Sequence, residues 1–148
     1  MAQSLTKQYS HIVFSTKNRE KFINNKIKNE LYSYIAGILK SLKSPAIIIG
    51  GTDDHIHILC ILSKNYSISK IIEELKKNSS KWIKTKGMSN FYWQRGYGAF
   101  SISQSHVEIV QRYVKNQLEH HKNQTFKDEF RGLLQKYKID FDERYVWH

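Results

Sequence analysis

Hydrophobic positions change period several times along this chain, and each change marks an element. Residues 8 to 16, QYSHIVFST, are a short run with Tyr, Ile, Val and Phe and predict a first strand. From 24 to 42 the apolar residues fall at helical spacing (Ile27, Leu31, Tyr34, Ile35, Ile38, Leu39, Leu42), and Pro45 stops the helix they predict. AIIIGG is a continuous apolar run of the central-strand kind, Gly50 to Asp54 supplies turn residues, and HIHILCIL returns as the hairpin partner. Between 67 and 85, Ile68, Ile71, Ile72, Leu75, Trp82 and Ile83 make one stripe with lysines opposite, which predicts a second helix with a basic outer face. YGAFSIS predicts a fourth strand. A third helix is expected from Ser105, a cap with Glu108 as its capping-box partner, to about Lys122.

The order strand, helix, strand, strand, helix, strand predicts an α+β fold: a ferredoxin-like antiparallel sheet, βαββαβ, with both crossover helices on one face and an extra helix after it. One domain is expected over residues 1–148, with the sheet core at about 8–103, the third helix at about 105–122 and a C-terminal helix and tail at about 125–148. Phe126, Phe130, Leu133, Leu134 and Tyr137 set that last helix, which is expected to pack on a dimer partner or on DNA. No run approaches the roughly 18 apolar residues of a membrane span, so a soluble cytoplasmic protein is expected. The single Cys60 lies in an apolar strand and reads as a small buried hydrophobe.

Charge narrows the partners. The chain carries 24 Lys and Arg against 13 Asp and Glu, a net +11. The excess gathers around Lys17 and Arg19 and in residues 64 to 86. Such a surface attracts polyanions and makes nucleic-acid binding sensitive to salt. Lys17, Arg19, Lys70, Lys77, Lys81 and Lys84 are the candidate phosphate contacts. Trp93 and Arg95, in the aromatic loop GMSNFYWQRG, are candidates for stacking on unpaired bases and gripping phosphate. Core packing serves as well for Tyr97 and Phe100.

Two of seven histidines lie one residue apart in an apolar strand. Side chains alternate along a strand, so His55 and His57 share a face with Leu59 and Ile61, while Ile56, Ile58, Cys60 and Leu62 point the other way. If the latter set packs under the two crossover helices, the imidazoles emerge on the opposite face, which those helices leave uncovered. About 7 Å apart along the strand, they can converge on one divalent ion. On the third helix, Val107, Val110, Val114 and Leu118 form an apolar stripe, and Tyr113, Gln117 and His121 form a second line at i, i+4, i+8. His120 points away to solvent. A tyrosine hydroxyl beside a cation that polarises a phosphate can displace a 3′-oxygen and form a phosphotyrosine. His11 either joins the histidine pair or is packed, and Asp53 and Asp54 read as turn residues. A structural zinc site would want Cys ligands or a fourth His, and Cys60 faces the wrong side.

HIHIL after a Gly-rich hairpin and YVKNQLEHH on a later helix resemble the single-tyrosine HUH transposases of the insertion sequence 200/605 family, including its palindrome-associated branch. HIVFSTKNR, GGTDDHIHIL, WQRGYGAFSIS, VQRYVKNQLEHH and TFKDEF follow in that family's order. The resemblance implies cutting and rejoining of single-stranded DNA hairpins by a homodimer, with Mg or Mn and without a nucleotide cofactor or small-molecule substrate. It makes His55 and His57 metal ligands, Tyr113 the nucleophile and Gln117 the third ligand; His121, on the same helical edge as Tyr113, is a ligand in place of Gln117 or beside it by position alone. In many members the tyrosine helix of one subunit reaches the metal site of the other. A domesticated relative with the same chemistry and a non-catalytic binder of the same fold are the alternatives.

Overall fold

The computed structural model describes residues 2–148. Four strands, β1 (Gln8–Ser15), β2 (Ala46–Gly51), β3 (His55–Leu62) and β4 (Gly98–Ile102), form one sheet in the order β2-β3-β1-β4, with every neighbouring pair antiparallel. Helices α1 (Lys28–Ser41) and α2 (Ile68–Lys84) connect β1 to β2 and β3 to β4. Both pack on the same face: Leu31, Ile35 and Leu39 from α1 and Ile71, Ile72, Leu75 and Ile83 from α2 meet Ile12, Phe14, Ile56, Ile58 and Cys60 in the main core. The alternation expected along β3 holds, with Ile56, Ile58 and Cys60 fully buried under these helices. Burial pushes the Cys60 thiol up to about 12, which leaves it an inert hydrophobe.

Boundaries follow local hydrogen bonding. The first helix starts at Lys28, later than its apolar spacing predicts, because the Asn24 side chain accepts from the backbone of Lys26 and Ile27 in a turn ahead of it. Ser67 caps α2 by accepting from the Lys70 backbone N–H at 3.1 Å.

The third predicted helix is not one rod. A turn at Gln104–His106 leads into α3 (Val107–Lys115), and a break at Asn116 separates it from the one-turn α4 (Gln117–His120). The Ser105–Glu108 capping box does not form; Ser105 Oγ instead sits against Ser103 and His106. The break also turns Leu118 out of the apolar stripe, leaving it 59% exposed, while Val114 stays fully buried. Helix α3 crosses β2 closely: a Cβ on Gly50 would lie 2.5 Å from the Val114 carbonyl oxygen, so only glycine permits this approach.

The face carrying His55 and His57 is the one α1 and α2 leave open, but it is not exposed. Helix α5 (Phe126–Lys136), capped by Thr125 Oγ1 accepting from Asp128 N, lays Phe126, Phe130 and Leu134 against Val13 and Phe100. The tail extends this cover: Gln94 Nε2 donates to the Val146 carbonyl and Arg19 Nη1 to the Trp147 carbonyl. The C-terminal segment therefore covers the sheet of its own chain, where the sequence pointed to a partner or to DNA. No described helix is long and apolar enough to cross a membrane.

A candidate active site under the C-terminal helix

Side chains from β1, β3, α3, α4 and α5 meet over the sheet. His55 and His57 are fully buried, and His11 is 2% exposed. His55 Nδ1 lies 2.7 Å from Asp54 Oδ1 and 3.0 Å from Thr52 Oγ1. The Asp54 carboxylate, kept ionised by these bonds although burial opposes its charge, accepts the Nδ1 hydrogen. The other ring nitrogen, Nε2, faces Gln117 Oε1 at 3.0 Å and Glu129 Oε1 at 3.5 Å. His57 Nδ1 lies 2.8 Å from His11 Nε2, and its Nε2 lies 3.0 Å from Glu129 Oε1. Burial pushes the His57 pKa down to about 4, and burial with the neighbouring His57 pushes that of His11 to about 3.

Glu129 is the centre of the cluster and was not singled out by sequence reasoning. Its Oε1 accepts from His57 and from His121 Nε2 at 3.0 Å; its Oε2 accepts from the Tyr113 hydroxyl and from Gln117 Nε2 at 3.0 Å. A carboxylate only 3% exposed would be costly without such donors. Burial works to raise its pKa, but the bonds from His121 and His57 outweigh it and hold the group well below the usual carboxylate range. Burial opposes protonation of His121, but its bond to Glu129 prevails and raises its pKa. Burial and the adjacent carboxylate keep the Tyr113 phenol protonated, above its usual range. A signal for Glu129 did exist: it lies at i+3 from Phe126 and beside Phe130, a lone acid inside the apolar stripe of α5.

The structure thus brings Tyr113, His55, His57, Gln117 and His121 together, adds His11 and Glu129, and draws all of them from one chain. The ring centroids of Tyr113 and His57 are 5.7 Å apart. His120 is exposed, as expected. A cleft of about 920 Å³ lined by Lys21, Lys28, Asp54, His121 and Lys122 opens on the His55 side. A smaller one of about 290 Å³, lined by His11, Tyr113, Glu129 and Lys136, opens on the tyrosine side.

The candidate DNA contacts are more dispersed. Helix α2 lies across the sheet from the imidazoles, and two of its lysines already pair with Glu74: Lys70 at 3.3 Å and Lys77 at 3.9 Å. Lys81 is exposed, and Lys84 Nζ sits 4.6 Å from the centroid of the exposed Tyr92 ring. Lys17 and Arg19 follow β1, whose Ser15 pairs with His55, and so stand at the end of the sheet nearest the cluster. Arg95 is exposed. Trp93 is a correction: only 8% exposed, it packs edge-on against Phe14 and Phe91 and donates Nε1 to Ser79 Oγ, so its indole is not presented for base stacking. The loop around it is held by Lys76 Nζ, which donates to the carbonyls of Gln94, Arg95 and Gly96.

Acid should loosen this cluster when no divalent ion is present. His11 and His57 stay neutral in the fold but take up protons when unfolded, so stability falls as pH drops below about 6.5 toward 4. The lowered carboxylates of Asp54 and Glu129 act in the same direction at still lower pH. His57 alone accounts for about 3 kcal/mol across its shift. The melting temperature of chelator-treated protein should therefore decline steadily from pH 7 to pH 4; a flat profile would mean these imidazoles are already charged in the fold.

The family described as Transposase IS200 like matches residues 4–117. No curated protein matches the sequence. Among solved structures, a Deinococcus radiodurans R1 protein assigned as a transposase is similar with a TM-score of 0.62 and 17% identity, over 79% of this chain and 98% of that one. A REP-associated tyrosine transposase bound to a REP hairpin is similar with a TM-score of 0.62 and 15% identity, over 82% of this chain and 73% of that one. At these identities the likeness is one of fold.

Proposed function

This chain belongs to the IS200-like transposase family, and from that premise we propose that it cuts and rejoins single-stranded DNA at hairpin-flanked ends through a 5′-phosphotyrosine on Tyr113. The observation that carries this reading is the convergence of potential ligand atoms: His55 Nε2 and Gln117 Oε1 face each other at 3.0 Å, each with its orientation fixed by a further bond.

The donor set suits a divalent cation such as Mg or Mn. His55, His121 and Glu129 each offer one ligand atom, all within 4.8 Å of one another, and Gln117 Oε1 adds a hard oxygen. When bound, such an ion would polarise the scissile phosphate and neutralise charge on its oxygens. For His57 to bind through Nε2, its hydrogen must sit on Nδ1 instead, and His11 Nε2 at 2.8 Å is placed to accept it. His11 thus sets the tautomer of its neighbour, while Asp54 does the same for His55.

The protein's own groups do the rest. Tyr113 supplies the attacking oxygen, and Lys21, Lys28 and Lys122 along the larger cleft give an unpaired strand a cationic path to the His55 side of the cluster. Lys17 and Arg19, with Lys81, Lys84 and Arg95, extend the basic surface toward a hairpin stem. The hairpin bound by the similar REP-associated enzyme supports a hairpin as the substrate. The residues of one chain suffice to assemble the cluster; the homodimer implied by the family resemblance would serve to hold two DNA ends together.

The test is direct. Purified protein incubated with labelled single-stranded hairpin DNA and Mn²⁺ should give an adduct that survives denaturation, and the same hairpin embedded in a duplex should give none. Absence of an adduct with any single-stranded hairpin from the element's own flanks removes the enzymatic reading and leaves a basic binding module.

A further inference from the structure

Most groups in the cluster have a role in the reading above, but one buried acid has two faces and only one of them is used. Glu129 Oε1 turns to the imidazoles, whereas Oε2 turns to the nucleophile: the Tyr113 hydroxyl donates to Oε2, and Gln117 Nε2 donates to the same oxygen at 3.0 Å. The Gln117 side chain also lies within bonding reach of that hydroxyl, but it is Glu129 Oε2 that accepts the phenolic hydrogen. The His57 and His11 ring centroids stand 5.7 and 5.9 Å from the Tyr113 ring; His57 commits both ring nitrogens, and His11 its Nε2, to partners other than the phenol. Gln117 presents a donor to Glu129 and cannot take a proton there.

We propose that Glu129 is a catalytic residue of the strand-transfer reaction, whose Oε2 accepts the phenolic proton of Tyr113 as the tyrosine oxygen bonds to phosphorus. The inference rests on the reading of Tyr113 as the nucleophile. A phenol is a poor nucleophile while its proton is in place, and an acceptor within hydrogen-bond reach is the first requirement of a general base. Because the bonds from His121 and His57 outweigh burial and lower the basicity of Glu129, the proton crosses as the P–O bond forms and makes the phenolic oxygen more acidic, not ahead of it. In the forward step the O–H bond pair becomes available on the phenolic oxygen, the proton moves to Glu129, and the new P–O bond forms. The bond from phosphorus to the 3′-oxygen breaks, that oxygen leaves with the electron pair, and solvent protonates it. On rejoining, a 3′-hydroxyl gives its proton to solvent as its oxygen attacks the phosphotyrosine, the P–O bond to Tyr113 breaks, and the phenolic oxygen recovers its proton from Glu129.

The packing of α5 supports this use of the acid. Phe126 and Phe130 bury on either side of Glu129 and fix the helix against the sheet, so the carboxylate reaches Tyr113 from a rigid element and not from a mobile loop. Gln117 Nε2 holds Oε2 in place beside the phenol. The acid lies in TFKDEF, on a helix sixteen residues beyond the tyrosine, where the sequence pattern gave it no role of its own.

Glu129→Gln keeps the shape of the side chain and removes its basicity. Single-turnover adduct formation with hairpin DNA should slow by about 10²-fold or more at Mn²⁺ raised until the variant is saturated, as judged by thermal shift, because Glu129 also offers a ligand atom to the ion, while hairpin affinity changes little by comparison. A merely structural role would not respond to nucleophile acidity, so the deciding measurement replaces Tyr113 by a ring-fluorinated tyrosine, whose hydroxyl loses its proton more readily. This should restore at least about tenfold of the rate lost in Glu129→Gln and have a smaller effect beside the native acid. Should Glu129→Gln fail to fold, Glu129→Asp, which keeps the charge but withdraws it from the phenol, takes its place and should show the same slowing and rescue. Unchanged rates, failure of fluorination to rescue, or a faster reaction in the variant overturn the proposal, the last by showing that the carboxylate blocks the phosphate. A wild-type protein that makes no adduct overturns the parent reading as well, whereas wild-type activity with an indifferent Glu129 overturns this inference alone.

Discussion

Tyr113→Phe should yield no covalent protein–DNA adduct, a loss of at least about 10³-fold, while hairpin affinity stays near the wild-type value. The substitution removes the one atom the proposed bond needs and keeps the ring, which sits edge-on to both His57 and His11. Its structural cost is confined to Glu129, whose Oε2 keeps the donor on Gln117 but loses the phenol. Losing one hydrogen bond to a buried charge costs about 1–3 kcal/mol, so the variant should melt a few degrees lower but remain folded and able to bind. Denaturing gels resolve the adduct, and a filter-binding or anisotropy titration gives the affinity. An adduct that persists assigns the nucleophile to another residue, with Tyr137, which lines the same small cleft, the first to examine. Loss of hairpin binding together with the adduct would instead make Tyr113 a DNA contact.

How much of this site could be read from the sequence depends on how local each relationship is. The shared face of His55 and His57 needed only strand alternation, and the burial of Ile56, Ile58 and Cys60 on the other side confirms it. The line of Tyr113, Gln117 and His121 needed only helical spacing, and all three reach the cluster even though Asn116 breaks the helix between them. The same break shows the limit of that reasoning, since Leu118 was assigned to the apolar stripe by spacing and lies exposed. Trp93 was misplaced for a related reason: an aromatic residue in a glycine-containing loop looks exposed until Ser79 and Phe14, distant in sequence, are found around it.

Glu129 marks the relationship that no local pattern contains. It meets His57 across 72 residues of chain, and it does so because the segment after α4 folds back over the sheet face that α1 and α2 leave open. Phe126, Phe130 and Leu134 announced a helix with a buried face, but not what that face would cover. An acid within an apolar stripe is expensive unless it is paired, so its position was the readable clue, and the histidines of β3 are the partners that explain it.

His55→Ala should abolish the stabilisation that a divalent ion gives the protein, in a measurement that needs no DNA. A ligand that binds only the folded state at 100 times its dissociation constant adds about 2.7 kcal/mol, which for a chain of this size raises the melting temperature by roughly 5–10 °C. His55 is the ligand most fully prepared for this: its Nδ1 hydrogen is committed to Asp54 and its Nε2 already faces Gln117 and Glu129. Removing the ring leaves a buried cavity and costs stability of its own, so the quantity to compare is the shift on adding Mn²⁺, not the starting temperature. Gln117→Ala, on the far side of the same gap, should lose most of the shift with a smaller effect on the metal-free fold, because its side chain comes from the single turn of α4. If His55→Ala keeps the full shift, the ion binds elsewhere, and His55 Nε2 and Gln117 Oε1 are then bridged by a hydrogen instead of a metal.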